Sequence, residues 1–356
     1  MSIGTPPPSA DAQLVFLTKL QRLFAEGDFT ATYKFALLIV LADLAVELGS
    51  DNGDSLELTT RQIGDRFIQL YWSHTSPYVT SHPGTAPGVL IQNNGAQASV
   101  VSAIENFRAR TLAASPLAAA KHPEYASLQS NVTQTVSAQP LTYLQNFGGG
   151  TDEFLYERPT RGRVRLKSGV AYCFRRFQPL LQEVARSHWV KHIKNNRRNH
   201  SILGVADDLE QFLFETSRQS LAFLAIGLRQ IDGNNCFYCG GALNKVDVDH
   251  FIPFSLYPRD LIHNFVLAHP VCNRSKSAML AGKQHLERWL ERLARRGDDM
   301  ADVGMKAGLV VDAEACRRVV TWGYSNAYSS GATAWVAPSA FEPIDGDFLR
   351  LVMPPA

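Results

Sequence analysis

Long apolar runs are scarce in this chain. The longest clear one, FALLIVLADLAVEL at residues 35–48, carries Asp43 in its middle. It falls short of the ~20 apolar residues that a spanning helix needs, and it reads as a buried core helix. Cysteine is also sparse: five in 356 residues, an odd number. The opening MSIGTPPPSADAQ has no basic stretch followed by an apolar core, so it does not resemble a secretory signal. A disulfide framework is therefore not expected, and the expected location is the cytoplasm. No internal repeat is apparent, and low complexity is confined to the PPP at 6–8. Net charge is nearly absent as well, at +2.

That small net charge hides an asymmetry. Between Arg158 and His200 stand twelve Lys/Arg and one acid, Glu183. The segment thus has a surplus of eleven positive charges, and the rest of the chain a deficit of nine. Such a block argues for a surface facing nucleic acid. Its candidate DNA-binding residues are Arg161, Arg163, Arg165, Lys167, Arg175, Arg176, Lys191, Lys194, Arg197 and Arg198. The interleaved Tyr172, Phe174, Phe177 and Trp189 read as core rather than as platforms for bases.

With 45% hydrophobic and 19% charged residues, the composition is that of a globular protein, and the length suggests two domains. Helical periodicity runs through residues 11–72 in three segments. FLYE and VRLK flank RPTRGR as a candidate hairpin, and Pro179 should break the long helical pattern that follows Ser168. A further helix, DDLEQFLFETSRQSLAFLAIGLRQID, leads into the cysteine region. The expected class is α+β and predominantly helical. A helical domain over 1–200, with its basic segment at 158–200, precedes a second domain over 201–356. That second domain has its core at 231–298 and a packing tail behind it.

Chemistry concentrates in the second domain. Cys236 and Cys239 in CFYCGG have the spacing of a metal knuckle, and the glycines permit the tight turn. Thirty residues after Cys239, HPVC repeats the spacing with His269 and Cys272. Three thiolates and one imidazole in two such pairs point to a closed structural zinc site. Cys173 and Cys316 lack such partners and read as small buried hydrophobes.

Between the pairs, VDVD reads as a strand ending near Asp249 and His250, FVLAH as a second strand, and NRSKSAML as a helix start. The order CFYC, VDHFIPFS, HNFVLAH, CNRSK over roughly 231–285 resembles the HNH endonucleases, whose ββα-metal module has this arrangement. The resemblance implies a metal-dependent endonuclease that hydrolyses phosphodiester bonds in DNA, in bacterial defence or restriction. Phosphodiester hydrolysis needs a base, a cation against the phosphate, and orientation of both. His250 suits the base. Asp249 and Asn273 offer oxygen ligands to Mg²⁺ or Mn²⁺. Asn264 is expected to hold the loop bearing His250, and Lys276, with Arg274 beside it, to meet a phosphate. Many HNH members have histidine where this chain has Asn273. Asp247 and His263 read as surface side chains.

Two other readings stand beside this one. The first is a zinc-stabilised DNA-binding module without cleavage, and the second an effector nuclease switched on by a companion defence protein. HNH modules often act as dimers, so a homodimer is among the expectations, whereas a membrane partner is not.

Overall fold

A computed structural model describes residues 4–80, 85–203, 209–215 and 218–353, the side chains of 218 and 219 excepted. The chain forms two compact units, Met1–Phe214 and Glu215–Ala356.

The first unit is built around one helix. It comprises α1 (Ala10–Glu26), α2 (Tyr33–Leu48), β1 (Leu56–Thr59), α3 (Thr60–Tyr71), α4 (Ser99–Thr111), α5 (Pro116–Ala120), α6 (Tyr125–Ala138), α7 (Pro140–Tyr143), β2 (Asn146–Phe147), β3 (Gly150–Thr151), β4 (Arg163–Leu166), α8 (Val170–Arg176), α9 (Gln178–Asn195), α10 (His200–Leu203) and α11 (Leu209–Phe214). The apolar run around Asp43 is α2, buried on every side from Lys34 to Glu47, as a helix apolar all round must be. Its polar groups find partners inside. Asp43 accepts from Gln182 Nε2 at 2.8 Å and Gln178 Nε2 at 3.3 Å, and Glu47 pairs with Arg66. Burial, and then the Glu47 carboxylate beside it, raise the pKa of Asp43 to about 7. The helix after Ser168 breaks at Phe177, with Pro179 in the first turn of α9.

The expected hairpin forms only in part. β4 pairs with β1, and residues on either side of Pro159 reach β4 through isolated bridges, Tyr156 to Leu166 and Thr160 to Arg163. Arg161 and Gly162 make the turn at positive φ, 48° and 76°.

The second unit holds α12 (Arg218–Asp232), β5 (Asp247–His250), β6 (Phe265–Ala268), α13 (Pro270–Lys276), α14 (Lys283–Ala307), α15 (Ala313–Ser329), β7 (Thr333–Ala337), β8 (Ala340–Pro343) and α16 (Gly346–Val352). The helical pattern written from Asp207 covers both α11 and α12, and residues 204–208 and 216–217 within or beside it lie outside the described residues. Close packing of α12 on α14 depends on Gly227, where a Cβ would come within 2.4 Å of Val303. Arg292 on α14 forks onto Asp232 of α12 at 2.8 and 2.6 Å and donates to the Phe265 carbonyl on β6 at 3.0 Å. One guanidinium thereby joins three elements. Trp289, Trp322 and Trp335 are buried in this unit. The tail packs on the module, as Trp335 of β7 donates to Ser275 Oγ of α13 at 3.0 Å. Among the described residues no helix is long and apolar enough to cross a membrane.

Candidate metal centre and active site

The tight turn after Cys236 is closed by backbone bonds, Cys236 N–H to the Gly241 carbonyl at 2.8 Å and Gly240 N–H to the Cys236 carbonyl at 2.9 Å. Gly240 takes φ +72°, a conformation that favours glycine. β6 then delivers His269, and the first turn of α13 delivers Cys272. The ligand atoms of Cys236, Cys239, His269 and Cys272 lie within 4.8 Å of one another. His269 Nδ1 faces Cys239 Sγ at 3.3 Å, while Nε2 meets the Ala242 carbonyl at 2.9 Å. A carbonyl can only accept, so Nε2 carries the proton and Nδ1 offers its lone pair to the centre of the cluster.

The sulfurs also bear on one another. Burial and the Cys236 and Cys239 sulfurs push the Cys272 thiol well above its ordinary value. Burial works the same way on Cys236, but backbone N–H groups of Cys239, His269 and Tyr238 outweigh it and lower that thiol. Three sulfurs and one imidazole nitrogen gathered at one point are the donor set of a four-coordinate ion such as zinc. Cys173 and Cys316 are buried elsewhere.

β5 and β6 pair antiparallel, with Asp247 opposite Ala268, Asp249 opposite Val266 and His250 opposite Phe265. Asp247 and Asp249 share one face of the strand. Asn273 and Lys276, one turn apart on α13, meet that face. Asn273 Nδ2 donates to Asp247 Oδ2 at 3.1 Å. Lys276 Nζ stands 3.2 Å from Asp249 Oδ2 and donates to the His250 carbonyl at 2.9 Å. Tyr238, in the knuckle, donates its hydroxyl to Asp249 Oδ2 at 2.5 Å. Its ring packs edge-on against Trp335 and His285. Arg288 of α14 holds the backbone carbonyls of Phe237 and Tyr238. The metal knuckle and the carboxylate strand are thus fastened through one tyrosine.

His250 sits at the strand end between the rings of Phe254 and Phe265, with centroids 5.2 and 4.5 Å away. Its Nε2 is 2.6 Å from Asp260 Oδ1. Asn264 is buried, accepting from Ile252 N–H at 2.8 Å and donating to the Ile252 carbonyl at 2.9 Å. Both bonds clamp the loop that leaves His250.

Three expectations are corrected. Lys276 cannot meet a phosphate as placed: its side chain is 0% exposed and its ammonium is spent on Asp249 and a carbonyl. Burial lowers its pKa, against the opposing pull of Asp249. Arg175 belongs to the interior of the first unit. It is 5% exposed, donates to the Ala45 and Val46 carbonyls at the end of α2, and pairs with Asp51 at 2.7 Å, the usual use of a cation at a helix C-terminus. His263 is buried against the Gly297 carbonyl, not a surface side chain.

The other cations differ among themselves. Arg161, Arg163, Arg165, Lys191, Lys194, Arg197, Arg198 and Arg274 are exposed, and Lys167 and Arg176 half-buried. Arg163 pairs with Glu57 at 2.5 Å. Sequence reasoning missed Asp260, Tyr238 and Asp247. For Asp247 the signal was present in the two-residue alternation with Asp249, whereas Asp260 and Tyr238 reach the site through tertiary packing alone.

The module over residues 236–281 matches the family model described as "HNH endonuclease", so its class is that of the HNH nucleases. Residues 15–211 match the model "Domain of unknown function (DUF8808)". That match spans more than half of the 356 residues, and the chain belongs to this family. No curated protein and no solved structure matches the chain.

Proposed function

We propose that the chain is a zinc-stabilised, divalent-cation-dependent endonuclease acting on DNA. The observation that carries this reading is the fastening of α13 to β5, which sets Asn273 on the strand face of Asp247 and Asp249, with His250 the next residue along the strand. Cys236, Cys239, His269 and Cys272 would hold zinc as a structural clamp. Asp249 and Asn273 would hold Mg²⁺ or Mn²⁺, which supplies positive charge against the phosphate as its own charge grows. His250 takes the proton of the attacking water. Asn264 keeps the loop after His250 in place through the Ile252 backbone. Both contacts to Asp249 fall on Oδ2, which leaves Oδ1 to face a cation.

The exposed cations at 161–165 and 191–198, with Arg274, are the phosphate contacts that favour a polyanion substrate. The defence role rests on the family resemblance alone. Plasmid nicking in Mg²⁺ or Mn²⁺ tests the reading. His250→Ala should slow nicking about 10²- to 10⁴-fold with DNA affinity kept. If wild type and His250→Ala are equally inert with both metals yet still bind DNA, the module is a binding domain.

A further inference from the structure

We propose that Asp260 is a positioning residue for His250: it fixes the imidazole as the Nε2–H tautomer and so makes Nδ1 the atom that accepts the proton. The catalytic half of this proposal rests on the endonuclease reading, and the tautomer half does not. The argument begins with donors and acceptors. A neutral imidazole has one nitrogen of each kind, whereas a carboxylate only accepts. With Nε2 at 2.6 Å from Asp260 Oδ1, the proton must lie on Nε2, and the lone pair is on Nδ1.

The contact is built to persist. The two side chains are 20% and 13% exposed, so water competes weakly for either. Asp260 stands beside Leu261, which bridges Val310 in parallel, and Ile262 N–H donates to the Val310 carbonyl at 3.0 Å. From the other side Phe254 and Phe265 flank the ring. The tautomer is therefore set by a carboxylate that lies between the segments VDHFIPFS and HNFVLAH, while Phe254 and Phe265 within them flank the ring.

The step balances as follows. A proton passes from water to Nδ1 as the water oxygen bonds to phosphorus, the bond from phosphorus to the leaving oxygen breaks, and that oxygen takes a proton from solvent. The Asp260 carboxylate faces the imidazolium formed at that moment and stabilises it. Nδ1 then returns its proton to solvent.

The experiment uses the full-length, zinc-loaded chain with ¹⁵N-labelled histidine, the His250 signals being assigned by their loss in His250→Gln. At a pH where the ring is neutral, wild type should show the Nε2–H form, and Asp260→Asn a mixture or the opposite tautomer. In plasmid nicking, Asp260→Asn should lower kcat on the order of 10²- to 10³-fold, with KM, DNA affinity and melting temperature close to wild type. Asp260→Glu should recover part of the loss. An Nδ1–H tautomer in wild type overturns the proposal. So does an Asp260→Asn variant that keeps the wild-type tautomer, or one that loses kcat, affinity and melting temperature together. If wild type does not nick DNA, the endonuclease reading fails while the tautomer measurement still decides the role of Asp260 at the ring.

Discussion

Replacing Cys272 with serine, or stripping the chain with a strong chelator, should lower the melting transition of Glu215–Ala356 by about 10 °C or more while that of Met1–Phe214 stays put. The clamp joins segments 30 residues apart, Cys239 in the knuckle and His269 after β6. Without a cation its sulfurs crowd a site where Cys272 resists ionising. Structural zinc is worth about 10–16 kcal/mol in isolated finger peptides. Here part of that is offset, because the unit has its own core around Trp289, Trp322 and Trp335. Losing even 4–5 kcal/mol in a unit of this size shifts the melting temperature by roughly the amount stated. Calorimetry with zinc quantified in the same sample checks it. A Cys272→Ser protein that binds no zinc and melts within 2 °C of wild type, on the scale of roughly 1 kcal/mol or less, would show that the cluster is not a clamp.

The second large effect concerns Lys276. Its ammonium is buried against Asp249 and caps the His250 carbonyl, with the Tyr238 ring 5.9 Å from Nζ. Lys276→Ala leaves a buried carboxylate with a tyrosine hydroxyl and no countercharge. Breaking a buried pair from one side costs about 3–5 kcal/mol, so denaturant unfolding of the second unit should show a loss of that order. Added Mg²⁺ or Mn²⁺ should restore part of it, because the cation supplies the missing charge beside Asp249. A loss below ~1 kcal/mol, the range of an exposed ion pair, or a loss that divalent ions do not touch, would separate Lys276 from the carboxylate site.

Much of the module is legible in the chain because it is written at short range. Two cysteine and histidine pairs at two-residue spacing, the β-branched VDVD, and Asn273 directly after Cys272 need no knowledge of tertiary contacts. What the sequence hides is direction. The spacing puts Lys276 one turn past Asn273, but only the packing of α13 on β5 turns its ammonium inward. Twelve cations in one segment look like a single patch. Yet Arg175 follows buried Phe174 on α8 and points to the end of α2, and Arg186 is buried on α9 over the Phe214 ring. Asp260 was hidden for the same reason, since it stands ten positions further along a loop from the histidine it touches.

Endonuclease chemistry at this site requires a divalent cation between β5 and α13. Mn²⁺ titration of the zinc-loaded chain, followed by electron paramagnetic resonance, measures that site directly. One Mn²⁺ should bind per chain, with affinity reduced about tenfold or more in Asp249→Ala and Asn273→Ala and unchanged in His250→Ala. Mn²⁺ bound equally by wild type and by both ligand variants would contradict it.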